Sequence, residues 1–232
     1  MNGWRFRDRR SAGQLLARQL DAYAHRSDVV VLGLPRGGVP VAFEVADALD
    51  APLDVFVVRK LGVPFQPELA MGAIASGGVT VLNDDVLALA HITPDMVARA
   101  VSAEERELVR REHLYRNGRP PLALTGKILI LVDDGLATGS TMRAAVEAAR
   151  RLHPARVIVA VPVGARESCR LLMQTADDVV CLQVPVPFSA VGLWYEDFSQ
   201  TSDDEVSALV EEASRRHADS SRDGGLFRTR QT

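Results

Sequence analysis

The stretch Lys127–Met142 (K-I-L-I-L-V-D-D-G-L-A-T-G-S-T-M) constrains the fold of this 232-residue chain more than any other. Ile128 to Val132 is an unbroken apolar run, the pattern of a strand buried on both faces of a parallel sheet. Two carboxylates, Asp133 and Asp134, end the run. A small-residue turn follows, in which Gly135 and Gly139 bracket Leu136, Ala137 and Thr138. Ser140 and Thr141 then open an amphipathic helix that reaches Leu152.

The parts of this unit suit a phosphorylated sugar. A helix N-terminus carries unpaired N–H groups and partial positive charge, which favour a phosphate. The turn residues Gly135, Ala137 and Gly139 let the backbone approach its oxygens, and Thr138, Ser140 and Thr141 add hydroxyl donors. A bound phosphate repels nearby carboxylates, so Asp133 and Asp134 should face another part of the ligand. Ribose hydroxyls are natural donors to them. The plainer reading is that the two Asp residues only end a strand and Ser140 only caps a helix.

A second strand-to-helix turn has the same character. Asp28–Leu34 reads as a buried strand, runs into P-R-G-G-V-P, and gives way to a helix from Val39 to Leu49. Gly37 and Gly38 expose N–H groups, and Arg36 adds a forked cation suited to pyrophosphate oxygens. A third strand, Leu53–Val58, ends in Arg59-Lys60. The breaker-rich segment Leu61–Gly78 after it reads as a long loop of the kind that forms lids. Glu68 within it reads as solvated.

The string V-D-D-G-L-A-T-G-S-T resembles the phosphoribosyl-pyrophosphate (PRPP) signature of type I phosphoribosyltransferases, and is nearest to the adenine phosphoribosyltransferase form. Segment order is similar from Val29 to Asp197. The string is not a Walker A loop, lacking Gly-Lys-Ser/Thr, and no G-x-G-x-x-G occurs. The resemblance implies a 5′-phosphate site at Gly135, Leu136, Ala137, Thr138, Gly139, Ser140 and Thr141. It implies a pyrophosphate site at Pro35, Arg36, Gly37 and Gly38, helped by Lys60. Asp133, Asp134, Arg59 and Lys60 become the catalytic set, and the Asp pair would hold Mg²⁺ indirectly, through water. The implied reaction moves ribose 5-phosphate from PRPP to a nitrogenous acceptor and releases pyrophosphate. The alternatives are a PRPP- or nucleotide-sensing regulator on the same fold, or a PRPP or sugar-phosphate hydrolase. Hypoxanthine and guanine enzymes carry Asp where Ala137 stands here, which argues against 6-oxopurine acceptors by that route.

The remaining segments fill in the architecture. Strands are expected at Val79–Leu82, Ala155–Val163 and Asp178–Val184, and helices at Ser11–Ala24, Arg166–Thr175 and Asp203–Arg216. Arg5, Arg7, Arg9 and Arg10 read as a solvated basic arm, with a role in phosphate or partner contact as the alternative. Residues 83–120 read as a helical insertion, with Thr93 capping a helix that starts at Pro94. Residues 185–200 read as a hood over the acceptor, in which Phe188, Trp194 or Tyr195 could stack on a flat ring, or could equally plug the sheet edge. The expectation is one α/β domain over 1–217, a doubly wound, mainly parallel sheet flanked by helices, and a disordered tail over 218–232.

Composition limits the partners. Net charge is −3 and pI is near 6.0, which argues against nucleic acid held by bulk charge. Two cysteines, Cys169 and Cys181, form no metal-type cluster and suit a reducing, cytoplasmic compartment. No apolar run reaches membrane length. The expected partners are PRPP and a small acceptor, with a homodimer as the candidate assembly.

Overall fold

The fold is described from a computed structural model. Residues 4–228 are described, with Pro67 and residues 221–228 by backbone alone. In chain order the elements are α1 (Arg9–Ala17), β1 (Val29–Gly33), α2 (Gly38–Leu49), β2 (Leu53–Val55), β3 (Val58–Val63), β4 (Gln66–Ala75), β5 (Val79–Leu82), α3 (Asp84–Leu89), α4 (Pro94–Arg116), β6 (Ile128–Val132), α5 (Ser140–Arg150), β7 (Arg156–Val163), α6 (Arg166–Leu172), β8 (Asp178–Gln183) and α7 (Asp203–Arg228). Short 3-10 turns lie at Arg18–Tyr23 and Val191–Trp194.

The apolar runs form one parallel sheet in the order β2-β1-β6-β7-β8. Strand side chains alternate between faces, and the core divides accordingly. Val29, Val31, Ile128, Ile130, Val132, Ile158 and Ala160 share a cluster with residues of α1, α2, α4 and α7. Val30, Leu32, Leu129, Leu131, Val157, Val159 and Val161 share another with α5, α6 and part of a second sheet. The architecture is the expected doubly wound α/β sheet. Its strand order reverses between β1 and β6, and such sheets bind ligands beyond the carboxyl ends of the strands at that switch point.

The segment read as a loop is a sheet. Strands β3, β4 and β5 form a three-stranded antiparallel unit, and Pro64-Phe65 makes the tight turn between Val63 and Gln66. Several of the apparent breakers have roles there. Gly72 sits in β4 where an added Cβ would come within 2.3 Å of the Val81 carbonyl oxygen. Gly77 and Gly78, at φ 83° and 72°, make the turn into β5. Leu61, Val63, Met71 and Ile74 give the unit one buried face against the helical side of the core.

The final helix also differs from expectation. It continues as α7 to Arg228, past the expected end at Arg216, and residues 229–232 of the expected tail lie outside those described. No helix among the described residues is long and apolar enough to cross a membrane.

The segment 83–120 is tied to the parallel sheet by a buried ion pair. Arg116 at the end of α4 donates through Nε to Asp54 of β2 at 2.9 Å, and its Nη1 lies 3.0 Å from Glu112. Asp54 also accepts from the Leu122 N–H at 3.3 Å. Removing one partner of such a pair strands a buried charge. Asp54→Ala should therefore lower unfolding free energy by about 3–5 kcal/mol in urea titration. Replacing Asp54 and Arg116 together with Leu and Met should cost clearly less, and equal losses would contradict this view of the pair.

Candidate active site

The ends of β1 and β6 deliver two turns side by side. Gly33 pairs with Val132, and the Leu34 N–H donates to the Val132 carbonyl at 2.9 Å. The turn Pro35–Gly38 then leads into α2, and Asp133–Gly139 leads into α5. Their contact is close enough to demand glycine. A Cβ at Gly38 would lie 2.6 Å from the Val132 carbonyl oxygen, and one at Gly37 would lie 2.1 Å from Asp134 Oδ2.

The turn before α5 has the features of an anion cradle. Gly139 caps the helix at φ 71°, in the left-handed region open to glycine. The first intrahelical bond runs from the Arg143 N–H to the Gly139 carbonyl at 2.8 Å. Ahead of it, the N–H groups of Thr138, Gly139, Thr141 and Met142 have no partner among the described residues, and the Ser140 N–H reaches only the Thr138 hydroxyl at 3.5 Å. Thr138 and Ser140 hydroxyls are 3.1 Å apart and exposed. Leu136 is different from its neighbours. Its side chain is buried, its N–H donates to Val163, and its carbonyl accepts from Ala165. Its amide is thus not open to an anion, contrary to its place in the expected phosphate set. The turn is braced from behind by Ser168 of α6, whose hydroxyl donates to the Ala137 carbonyl at 2.5 Å.

The acidic pair is unequal. Asp133 Oδ1 accepts the Asp134 N–H at 2.9 Å. Asp134 Oδ2 is held by Arg9, whose Nε and Nη2 both lie 2.8 Å away. Burial pushes the Asp133 carboxyl well above the ordinary carboxylate range, and the neighbouring Asp134 charge adds to this. Burial also raises Asp134, with Arg9 opposing.

The cations expected at the site are divided. Successive strand residues face opposite sides, so Arg59 and Lys60 part company. Arg59 points to α4 and donates to Glu104 at 2.7 Å. Lys60 faces a cleft of about 510 Å³ between the second sheet and α5, which Ser140, Thr141 and Arg143 also line. The Lys60 ammonium lies 3.6 Å from Glu68. Arg36 has one distant ion pair, 3.9 Å from Asp203. Asp133, Asp134 and Pro35–Gly38 do not line that cleft.

The segment 185–200 spends its aromatics on packing. Tyr195 is 3% exposed, its ring 5.4 Å from Phe6 and 5.0 Å from Phe198, and its hydroxyl donates to the Asp134 carbonyl at 2.6 Å. Phe188 and Trp194 pack against the same cluster of Phe6, Ala12, Val163 and Tyr195. Tyr195 is therefore closed to a stacking ligand, and its ring braces the acidic pair from below the surface. Val191 touches the phosphate-type turn, since a Cβ at Gly135 would lie 2.6 Å from it.

Sequence reasoning missed Arg9 and Ser168. The basic arm is tied down at Arg9, which meets Asp134 across 125 positions, while Arg10 stays exposed although it donates to Glu44 at 2.6 Å. The D-R-R-S string marks Arg9 as the first residue of a capped helix, but nothing local points it at Asp134.

An open parallel sheet with two glycine turns and an acidic pair at its switch point defines a doubly wound α/β protein with its candidate ligand site at that point. The chain belongs to the phosphoribosyl transferase family, whose domain profile matches residues 10–197. It is 53% identical over 218 residues to a Mycobacterium tuberculosis protein provisionally named a phosphoribosyl transferase, covering 92% of this chain and 48% of that one. The chain thus spans about half the length of that curated relative. It is 28% identical over 162 residues to the Bifunctional protein PyrR of Synechocystis, covering 68% of this chain and 71% of that one. A crystal structure of a Thermus thermophilus protein superposes with a TM-score of 0.80 at 45% identity, covering 90% of this chain and 98% of that one.

The raised Asp133 carboxyl has a consequence for stability. Folding favours its protonated form, so wild-type stability falls as pH rises from the ordinary carboxylate range through the raised one. Asn keeps an acceptor for the Asp134 N–H and cannot ionise. Asp133→Asn should melt higher than wild type at about pH 8, with the gap closing toward about pH 4, the ordinary carboxylate range. Circular dichroism melts across that range check this, and a gap that widens in acid would contradict it.

Proposed function

We propose that the protein is a phosphoribosyltransferase that moves ribose 5-phosphate from PRPP to a nitrogenous acceptor with release of pyrophosphate. One observation carries the reading. The unpartnered amides and hydroxyls before α5 sit beside a half-buried carboxylate pair, and a cation-bearing glycine turn abuts that pair. The first element suits one tetrahedral phosphate, and the Arg36 turn suits a diphosphate of higher charge. Ala137 and Thr138–Thr141 take the 5′-phosphate, Pro35–Gly38 take the pyrophosphate, and Asp133 accepts from a ribose hydroxyl between them.

Departure of pyrophosphate leaves positive charge on the sugar. Catalysis then consists of positioning, cationic stabilisation of the leaving group, and exclusion of water. Arg36 supplies the fixed cation. Lys60 stands on the β3–β4 hairpin, whose exposed Phe65 tip suits a lid. No cluster of three or more metal-type ligands exists among the described residues, and a divalent ion brought with the substrate would be held here only indirectly, through water. Asp133 fits such an ion through water, because its Oδ2 has no protein partner among the described residues. Mg²⁺ held there would supply charge neutralisation for the diphosphate.

One alternative is favoured by the packed hood. Without an open Tyr195 ring, a protein that binds PRPP as a signal fits the same anion sites. Incubation with PRPP, Mg²⁺ and a panel of bases, followed by mass spectrometry and pyrophosphate assay, separates the readings. Acceptor-dependent pyrophosphate and a new nucleotide are the expected result. Release without acceptor indicates a hydrolase, and calorimetric binding without release indicates a sensor. No binding of PRPP overturns all three.

Gly139→Val tests the cradle. Its Cβ would lie 3.2 Å from the Ser168 Cβ, and a β-branched residue at φ 71° is strained by about 1–3 kcal/mol. The turn should deform toward solvent, and calorimetry should show at least about tenfold weaker ribose 5-phosphate binding, the loss of one charge-assisted contact. Wild-type affinity in a folded variant would remove this turn from the site.

A further inference from the structure

Arg9 is the first residue of α1, and that helix start is fixed locally. Asp8 Oδ1 accepts the Ser11 N–H at 2.7 Å, and Ser11 Oγ accepts the Asp8 N–H at 3.0 Å. This reciprocal capping sets where α1 begins. The Arg9 side chain then touches three residues on two separate segments. Nε and Nη2 bind Asp134 Oδ2. Nη1 donates to the Ser199 carbonyl at 2.6 Å. The guanidinium carbon lies 3.9 Å from the centroid of the Phe198 ring.

The ion pair also presses on the turn before α2. A Cβ built on Gly37 would meet Arg9 Nε at 3.2 Å as well as Asp134 Oδ2 at 2.1 Å. Both charged side chains are largely covered, at 12% and 16% exposure. Covered ion pairs owe their place to geometry more than to net stability, because desolvation offsets much of the attraction. What this pair fixes is the direction of the Asp134 carboxylate. Each carboxylate keeps one oxygen without a protein partner among the described residues, Oδ2 of Asp133 and Oδ1 of Asp134, but Asp134 alone is bound to a cation.

We propose that Arg9 is the positioning residue of this site: it clamps Asp134 between the Pro35–Gly38 turn and the 195–199 segment, and so leaves Asp133, the carboxylate of the pair not bound to a cation, to meet the ligand. The proposal rests on the phosphoribosyl reading for its ligand and on the contacts above for its geometry. The acidic pair divides its labour. Asp133 meets the sugar, while Asp134 serves as the anchor through which the hood and the anion turn are held in register. A planar fork is required for this. Arg9 uses three nitrogens on two acceptors and its face on a ring, which a lysine ammonium cannot do at once.

The chain supplies its own control. Arg10 has the same charge and is the next residue, and it too is ion-paired, to Glu44, with its guanidinium 5.1 Å from the Phe43 ring centroid. It touches neither turn. A role limited to charge or to holding down α1 would make the two arginines alike.

The test uses the full chain and calorimetry with PRPP and Mg²⁺. Arg9→Gln and Asp134→Asn should each weaken binding at least about tenfold, as loss of a hydrogen bond to a charged group does. Their double variant should be no weaker than the worse single one, because the two side chains act as a unit. Asp133→Asn should multiply with Arg9→Gln in full. Arg9→Lys should recover only part of the loss, and it stands in for Arg9→Gln if that variant does not fold. Arg10→Gln should stay within about twofold of wild type, the scatter of sites that do not interact. Multiplying losses for Arg9→Gln and Asp134→Asn, or equal losses for Arg9→Gln and Arg10→Gln, overturn the proposal.

A second readout separates this proposal from the function it rests on. If wild type binds no PRPP, the phosphoribosyl reading fails, but the clamp remains measurable by amide hydrogen exchange. The N–H groups of Gly38, Val39, Tyr195 and Ser199 are all hydrogen-bonded in the folded protein. Their exchange should speed up in Arg9→Gln and not in Arg10→Gln. Unchanged exchange in Arg9→Gln overturns the clamp with or without a ligand.

Discussion

Parallel pairing of β1 with β6, with Gly33 opposite Val132, sets everything else at the site. The two strands end level with each other, and the strand order reverses between them. Both following turns must therefore emerge side by side, and both lead into helices whose N-termini converge on the same space. The Leu34 N–H bond to Val132 leaves no room for a side chain at Gly38, and the carboxylate of Asp134 leaves none at Gly37. The glycines of the first turn thus answer to the second turn as much as to any ligand.

That convergence brings two partial positive helix ends and two carboxylates together in a half-buried region. Carboxylates there are disfavoured by burial and by each other, which is why Asp133 is pushed toward its protonated form. Arg9 relieves the second carboxylate, and the Tyr195 hydroxyl satisfies the carbonyl of the same residue. Arg9 and Tyr195 reach the acidic pair from outside the sheet, one from the start of α1 and one from the 185–200 segment. The Phe6–Tyr195 bridge joins these two segments directly. The site is consequently a joint product of the sheet, the N-terminal arm and the hood.

Local patterns were legible and distant partners were not. Ile128–Val132 and Val29–Gly33 announce buried strands because burial on both faces needs only apolar side chains. The Asp133–Thr141 string is contiguous, so its residue order reads as a unit. The second sheet was hidden because Gly72, Gly77, Gly78 and Pro64 look like loop residues until the strands that need them are paired. Arg59 and Lys60 were expected to act together, but the strand period sends Arg59 to Glu104 and Lys60 to the cleft. Leu136 lies inside the motif yet belongs to the core. The bond from Arg9 to Asp134 could not be read, because its partner is 125 positions away and its neighbours look like an ordinary basic arm.

The most direct measurement is a crystal structure with ribose 5-phosphate bound. The phosphate should lie on the N–H groups of Thr138 to Thr141, with the sugar hydroxyls on Asp133 and with Asp134 still on Arg9. A phosphate bound elsewhere with the turn before α5 empty, or sugar hydroxyls on Asp134 after Arg9 has swung away, would contradict the account.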